Sequence, residues 1–466
     1  MADTLGFRQR GSRSFTQLTP YFTQDAAIKL RQYKYAGGDS GILYKYFYNP
    51  VALKLVSILP ETVAPNLLTL IGFLFTVIPF ALLFGLYGLD FHGNVPAWWC
   101  YLEAASYFIY RMLDEMDGKQ ARKTGNSSPL GLLFDHGCDA FTAGLITLMA
   151  LKLLQVGNNP LIILGLVAVT QAFHFSTLEE YYIGGLYLGI GNGVTDGSAL
   201  LIALFIQCGI SGQEFWRDSV SITLNNSTHI VQISHLFVYG MFISQILAVL
   251  YIIYSVIKHQ TKDIPQEQRD LGEPLDYSEL LKHIVSFYMI YSILSAAVLC
   301  QSTNSIIYTY PMIPCMIGVF LYVHNTISIQ VAHVSKQKYY SQTRLLMFNV
   351  FIMMVYIGLL QFQVVEINQQ IFFSCLMVIT GLCQWHYILN VIYEMTVILN
   401  IKVFKVKPKN QLFSTEPLRE EGVQSQIEMQ EVGRNNDSEE PDIESTNPSN
   451  QNSGQKNVDK NLNYFR

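Results

Sequence analysis

Four aspartates stand in two pairs within the run DEMDGKQARKTGNSSPLGLLFDHGCD: Asp114 with Asp117, and Asp135 with Asp139. On a helix, spacings of three and four put each pair on one face. Gly118 lies four residues after Asp114 and shares that face. Ala121 and Arg122 follow one turn further on. The first helix therefore presents two carboxylates, a bare patch of backbone and a guanidinium. Gly and Ala let a ligand approach the backbone closely, and Arg matches phosphate oxygens. Four convergent carboxylates repel one another, and a hard divalent cation removes that conflict. All-oxygen ligands suit Mg²⁺ or Mn²⁺, and two acid pairs suit two ions. Two metals beside an Arg and an open backbone suit phosphoryl transfer. A solvated charged face is the bland alternative. It is weakened because both pairs adjoin long apolar segments, where carboxylates are costly and usually functional.

The elements that must hold these residues are membrane helices. The chain has 466 residues, 50% of them hydrophobic and only 14% charged, against roughly 25% charged in soluble domains. We expect an all-α polytopic membrane protein with about ten spans, near 67–89, 96–117, 131–154, 160–178, 183–210, 230–256, 280–300, 304–330, 345–363 and 372–399. Each is long enough to cross a bilayer. Loops 90–95, 155–159, 301–303 and 364–371 hold no Lys or Arg, and loop 211–229 holds only Arg217. The alternate loops are basic, with Lys119, Arg122 and Lys123 in the first of them. That bias places both termini and the aspartate segment at the cytosolic membrane boundary. The sequons beginning at Asn225 and Asn226 then lie in the lumen.

Three divisions follow. Residues 1–66 form a cytosolic segment with helices lying on the membrane surface, since Tyr44–Leu59 mixes Lys with apolar residues at helical spacing. Residues 67–402 form the transmembrane catalytic domain. Residues 403–466 have no aromatic residue between Phe413 and Tyr464, and we read them as a disordered cytosolic tail. The N-terminus lacks the apolar stretch of a cleaved signal peptide. The seven cysteines form no C-x-x-C pair and read as small buried hydrophobes. No nucleic-acid partner is expected.

The run resembles the CDP-alcohol phosphotransferase motif, D-x2-D-G-x2-A-R-x8-G-x3-D-x3-D. All eight fixed positions are filled, by Asp114, Asp117, Gly118, Ala121, Arg122, Gly131, Asp135 and Asp139. DGKQAR, SSPLG and LFDHGCD resemble the eukaryotic choline/ethanolamine phosphotransferase branch, with Leu132 standing where that branch usually carries Glu. YKYAGGDSGILYK and APNLLTLIG, where Pro65 and Asn66 open the first span, are also similar. The resemblance implies transfer of phosphocholine or phosphoethanolamine from CDP-choline or CDP-ethanolamine to diacylglycerol, with release of CMP. It implies Asp114, Asp117, Asp135 and Asp139 as metal ligands. Asn66, Gly118, Ala121, Arg122 and Gly131 would contact substrate. It also implies residence in the endoplasmic reticulum or Golgi and a homodimer. A transporter or an inactive scaffold is the alternative for ten spans with buried acids. The motif argues against the first, because ion paths do not need Gly and Ala at those offsets beside an Arg. The intact aspartates argue against the second.

Other residues leave alternatives open. His136 follows Asp135 and sits about 100° round the helix from it, and imidazole is the side chain whose ordinary pKa lies nearest neutrality. It is our candidate general base, with Asp139 and Asp196 as alternatives. Asp196, in GNGVTDGSAL, interrupts the fifth expected span; it either touches the reaction or hydrogen-bonds irregular backbone. Glu103 faces roughly the same side as Asp114, eleven residues before it. Glu179, Tyr181 and Gly184 resemble the branch's E-x-Y-x-x-G run at a cytosolic loop, where Glu179 reads as solvated. His386, Tyr387 and Glu394 look family-like, and His174 reads as a core histidine.

Overall fold

The computed structural model describes residues 21–189, 192–193, 195–224, 227–261, 272–300, 305–363 and 367–407. Asn225, Asn226 and most of the expected tail, from 408 onward, lie outside the described residues, as do residues 1–20. The chain opens with α1 (Gln24–Gln32), a short strand β1 (Gly37–Asp39), a π-helical turn (Tyr44–Tyr48) and α2 (Asn49–Ile58). Long helices follow: α3 (Pro65–Tyr87), α4 (Ala97–Thr124), α5 (Pro129–Leu153) and α6 (Leu161–Ile183). After β2 (Leu186–Leu188) come α7 (Thr195–Arg217), a hairpin of β3 (Ser219–Leu224) and β4 (Ser227–Gln232), and α8 (Ile233–Thr261). The last elements are α9 (Tyr277–Leu299), the short α10 (Ile306–Thr309), α11 (Met312–Ser335), α12 (Arg344–Gln361) and α13 (Gln369–Leu399).

Among the described residues, eight helices are long and apolar enough to cross a membrane: α3, α6, α7, α8, α9, α11, α12 and α13. The expected second and third spans are α4 and α5. Both are long enough. They fall outside the eight because they carry the charged residues of the site; α4 alone holds Glu103, Arg111, Asp114, Glu115, Asp117, Lys119, Arg122 and Lys123. The fifth expected span also starts later than 183. Gly184 adopts φ 88°, a left-handed conformation that ends α6. The chain then runs extended as β2, which pairs in parallel with β1. Asp196 consequently sits in the first turn of α7 rather than interrupting a span. The loop expected at 211–229 is instead the kinked end of α7 and the β3–β4 hairpin.

Helix α4 packs between α3 and α7, and α5 is contacted by α3, α6 and α11. Helices α6 and α11 are the most deeply buried of the eight. In a bilayer, lipid is as apolar as a leucine side chain, so helices associate through close packing and polar contacts. Both are present. At the end remote from the aspartates, Lys152 is fully buried. Its Nζ donates to the carbonyls of Tyr87 (3.0 Å) and Gly88 (2.9 Å), satisfying carbonyls at the C-terminus of α3. The Arg217 Nε donates to Gln155 Oε1 at 3.0 Å, tying α7 to the end of α5. All seven cysteines are unbridged; Cys100, Cys138, Cys208 and Cys315 are buried as expected, whereas Cys300, Cys375 and Cys383 are exposed.

The α5–α11 contact is tight enough to test. A Cβ on Gly144 would stand 2.9 Å from Val319 Cγ1, closer than carbon atoms tolerate. Gly144→Val should cost about 1–3 kcal/mol through overpacking. It is expected to lower the unfolding temperature in mild detergent; unchanged stability would contradict this packing.

Candidate active site

The two motif helices meet because a short turn separates them. Gly125, at φ 69°, ends α4, and Ser128 caps α5 by accepting from Gly131 N, with Pro129 in the first turn. The helices then run back along each other. Tyr110 Oη donates to Asp139, while Asp114 faces Asp135. One carboxylate oxygen from each of Asp114, Asp135 and Asp139 lies within 4.8 Å of the others. Asp117 is buried, accepts from Thr69 Oγ1 on α3, and stands within hydrogen-bonding reach of Asp135.

Positive charge is scarce against these four carboxylates. Arg111 is the only arginine buried among the described residues, at 3% exposure. Its guanidinium pairs with Asp114 and, at 3.3 Å, with Glu115. Glu115 in turn binds Lys119 at 3.1 Å, whose Nζ lies 5.2 Å from the centre of the Tyr44 ring. Asp135 Oδ1 is buried with no donor at all. Asp114, Asp135 and Asp139 could together hold a metal ion, and an all-oxygen set of this kind suits a hard cation.

The other motif residues lie at the same end. Arg122 is exposed at the rim. A Cβ on Gly118 would lie 3.7 Å from its Nη1, in ordinary van der Waals contact, so the bare backbone at 118 adjoins the guanidinium. Ala121 is half-buried one turn on. A Cβ on Gly131 would lie 3.4 Å from Asn66 Oδ1 and 3.5 Å from Ser128 Oγ, so Asn66 borders the opening of α5. The α4 end also sets where α3 begins. Gln120 Nε2 donates to the carbonyls of Pro60 (2.9 Å) and Val63 (3.0 Å). Lys123 Nζ donates to Val56 (2.7 Å) and Leu59 (2.6 Å). These bonds fix the turn that carries Asn66 and Thr69.

His136 is buried beside Gln330 and Glu180. Its Nδ1 faces the Gln330 amide and lies 3.6 Å from Glu180 Oε2. Gln330 Nε2 donates to the same oxygen at 2.6 Å. The other Glu180 oxygen lies 3.7 Å from His333 Nε2, which pairs with Tyr33 Oη at 3.0 Å. Asp196 accepts from Leu43 N at 3.4 Å, next to Asp39. Asp39 accepts from Gly41 N (2.6 Å) and Thr195 Oγ1 (3.1 Å). Burial pushes the Asp39 carboxyl up, and those two donors offset only part of the rise. Asp196 therefore ties the N-terminal segment to the start of α7. Tyr35 on that segment is within electrostatic reach of Glu180, Asp135 and Arg122.

The remaining candidates separate. Glu103 is fully buried, and neither of its oxygens has a hydrogen-bond partner. Glu179 is not in a solvated loop; it lies in the last turns of α6 and bonds Ser255 of α8. His174 bonds Thr326 Oγ1 at 3.1 Å and stacks on Phe287. In α13, Glu394 accepts from Tyr21 N at 2.9 Å, and Tyr387 packs edge-on against Tyr21, so both anchor the N-terminal segment. Sequence reasoning missed Glu180, Gln330, Thr69 and Arg111. Arg111 carried a signal, being one turn before Asp114 on the same face.

Removing the buried Arg111 guanidinium from a ring of carboxylates should cost about 3–5 kcal/mol. Arg111→Met is expected to unfold at a clearly lower temperature in EDTA, with added Mg²⁺ recovering part of the loss. Equal thermal stability of variant and parent in EDTA would contradict the charge balance described.

Comparison with known proteins agrees with this geometry. Residues 62–207, which contain all four aspartates, match the model of the CDP-alcohol phosphatidyltransferase family. An uncharacterized CDP-alcohol phosphatidyltransferase class-I family protein of Schizosaccharomyces pombe is 38% identical over 189 residues, 40% of this chain and 48% of that protein. Choline/ethanolaminephosphotransferase 1 of Arabidopsis thaliana is 34% identical over 200 residues, 43% of this chain and 51% of that one. Cholinephosphotransferase 1 of Saccharomyces cerevisiae is 34% identical over 203 residues, with the same two shares. The chain spans about half the length of the curated relatives it matches. The segment that is similar to the CDP-alcohol phosphatidyltransferase family model thus runs from α3 through α6 into the first half of α7, and its α4 and α5 carry the paired aspartates.

Proposed function

We propose that this chain transfers phosphocholine or phosphoethanolamine from CDP-choline or CDP-ethanolamine to diacylglycerol, releasing CMP. The observation that carries the reading is the convergence of Asp114, Asp135 and Asp139 to within 4.8 Å, inside the segment that matches the family model. Asp117 completes the set from the buried side. These four would hold Mg²⁺ or Mn²⁺, as two ions. When bound, such ions neutralise charge on the diphosphate and on the departing CMP.

The chain's own residues then divide the work. Gly118 and Ala121 leave backbone open to the phosphates, and Arg122 pairs with a phosphate oxygen. Asn66 and Gly131 border the donor. The hydroxyl of diacylglycerol must lose a proton as it attacks the β-phosphorus, and His136 accepts it on a ring nitrogen. The imidazolium so formed faces the Glu180 carboxylate at 3.6 Å, which stabilises the positive charge. Asp139 and Asp196 are the alternative acceptors. Lys119, Arg122 and Lys123 flank the site, and Lys402, Lys405 and Lys407 follow the last span. This supports a site facing the cytosol, in the endoplasmic reticulum or Golgi membrane. As in many members of the family, the working unit would be a homodimer.

The test is a headgroup-transfer assay on purified full chain with CDP-choline, CDP-ethanolamine, diacylglycerol and Mg²⁺. Release of CMP should require an acceptor, a donor and the metal, and Asp117→Asn should abolish it. Arg122→Ala should weaken transfer with metal binding largely intact. His136→Ala should bind the donor yet lose on the order of 10²-fold or more in turnover. Full activity in EDTA or in Asp117→Asn would overturn the reading. Near-normal turnover in His136→Ala would hand the proton to Asp139 or Asp196.

A further inference from the structure

The segment after the last span does not begin as a free tail at 403. Asn400, at φ 50°, turns the chain back under α13, with its N–H bonded to Val397 O at 3.3 Å. Residues 401–407 then cross three elements that lie far away in sequence. Val403 O accepts from Asn66 Nδ2 at 3.0 Å. The Phe404 ring packs edge-on against Phe134, with centroids 5.8 Å apart. Lys407 N donates to Asn126 Oδ1 at 2.8 Å. Each contacted element carries part of the candidate site. Asn66 borders Gly131. Phe134 precedes Asp135. Asn126 belongs to the turn that ends α4, where its N–H bonds Ala121 O at 2.9 Å, beside Arg122.

The strap is itself held. Arg31 Nε donates to Ile398 O at 3.0 Å, at the end of α13 from which the strap departs. Ile401 and Val403 are partly buried against the core. The Asn66 bond also sets a direction. With Nδ2 committed to Val403, its Oδ1 is left as an acceptor on the Gly131 side, where it can receive a ligand hydroxyl or amino group. Loss of that bond would let the amide rotate and offer a donor instead.

We propose that residues 401–407 are part of the donor-nucleotide site: a positioning strap that fixes the Asn66 amide and the α4–α5 turn for a nucleoside diphosphate. The class of ligand rests on the function proposed above; the placement of the strap does not. The matched domain at 62–207 is thus incomplete without a segment about 200 residues beyond it. The strap acts through Asn66 and the turn and touches no reacting atom.

The experiment compares full chain, truncations after Lys409 and after Asn400, and the variants Phe404→Ala, Asn126→Ala and Asn126→Asp, all in lipid nanodiscs. The probes are CMP with Mg²⁺ for binding, and transfer kinetics for both substrates. Truncation after Lys409 keeps the strap and should bind CMP as the parent does. Truncation after Asn400 should lose binding. Phe404 is 46% exposed, so its truncation removes little packing. Phe404→Ala and Asn126→Ala should raise the CMP Kd and the donor KM by about 10-fold, the loss of one hydrogen bond or ring contact, with the diacylglycerol KM unchanged. Asn126→Asp keeps the acceptor for Lys407 N but loses the donation to Thr124 O (2.9 Å), so it should bind CMP more tightly than Asn126→Ala and less tightly than the parent. Unchanged CMP affinity in both point variants, or equal losses for donor and acceptor substrates, would overturn the strap and leave the proposed function standing. A full chain that neither binds CMP nor turns over a CDP-alcohol would overturn both.

Discussion

Repulsion among four carboxylates at one end of a helical bundle governs the rest of this structure. Two like charges 4 Å apart are worth about 4 kcal/mol at an effective dielectric of 20, and Asp114, Asp135 and Asp139 approach that separation in every pairing. Thr69 and Tyr110 each donate one hydrogen bond, and Arg111 supplies one charge. That leaves the cluster short of positive charge, with Asp135 Oδ1 unpartnered. Such repulsion is relieved by a shared proton or by a bound cation, and divalent cations are the chemistry that fits an all-oxygen ring.

Holding such a ring requires rigid neighbours, and the polar contacts are placed accordingly. Gln120 and Lys123 fasten the turn before α3, which delivers Thr69 to Asp117. Glu180 and Gln330 come from α6 and α11, the most buried of the eight candidate spans, and they hold His136 through its Nδ1 side. The N-terminal segment and the strap after α13 close the same end from two sides. The opposite end is tied by Lys152 and Arg217, whose bonds go to loop carbonyls and side chains.

Much of this was legible in the chain. The aspartate spacing reads directly as two helical faces, because three and four residues are the helix's own period, and carboxylates beside apolar runs demand a reason. Membrane helices follow from hydropathy, although α4 and α5 carry too much charge to qualify on composition. What failed depended on partners distant in sequence. Glu179 and Glu180 are adjacent and chemically identical, and only the packing of α11 decides that Glu180 turns inward to Gln330. The late start of α7 follows from β1 pairing with β2, across about 150 residues. The tail was placed from 403 because composition shifts near there, yet Val403 is held by Asn66, 337 residues earlier. No local pattern encodes that bond.

The central claim is that these carboxylates bind divalent cations, and electron paramagnetic resonance of Mn²⁺-loaded full chain tests it most directly. The account predicts stoichiometric Mn²⁺ with the spectrum of an exchange-coupled pair, reduced to a single uncoupled ion or none by Asp135→Asn. Absence of bound Mn²⁺, or an unchanged coupled spectrum after Asp135→Asn, would contradict it.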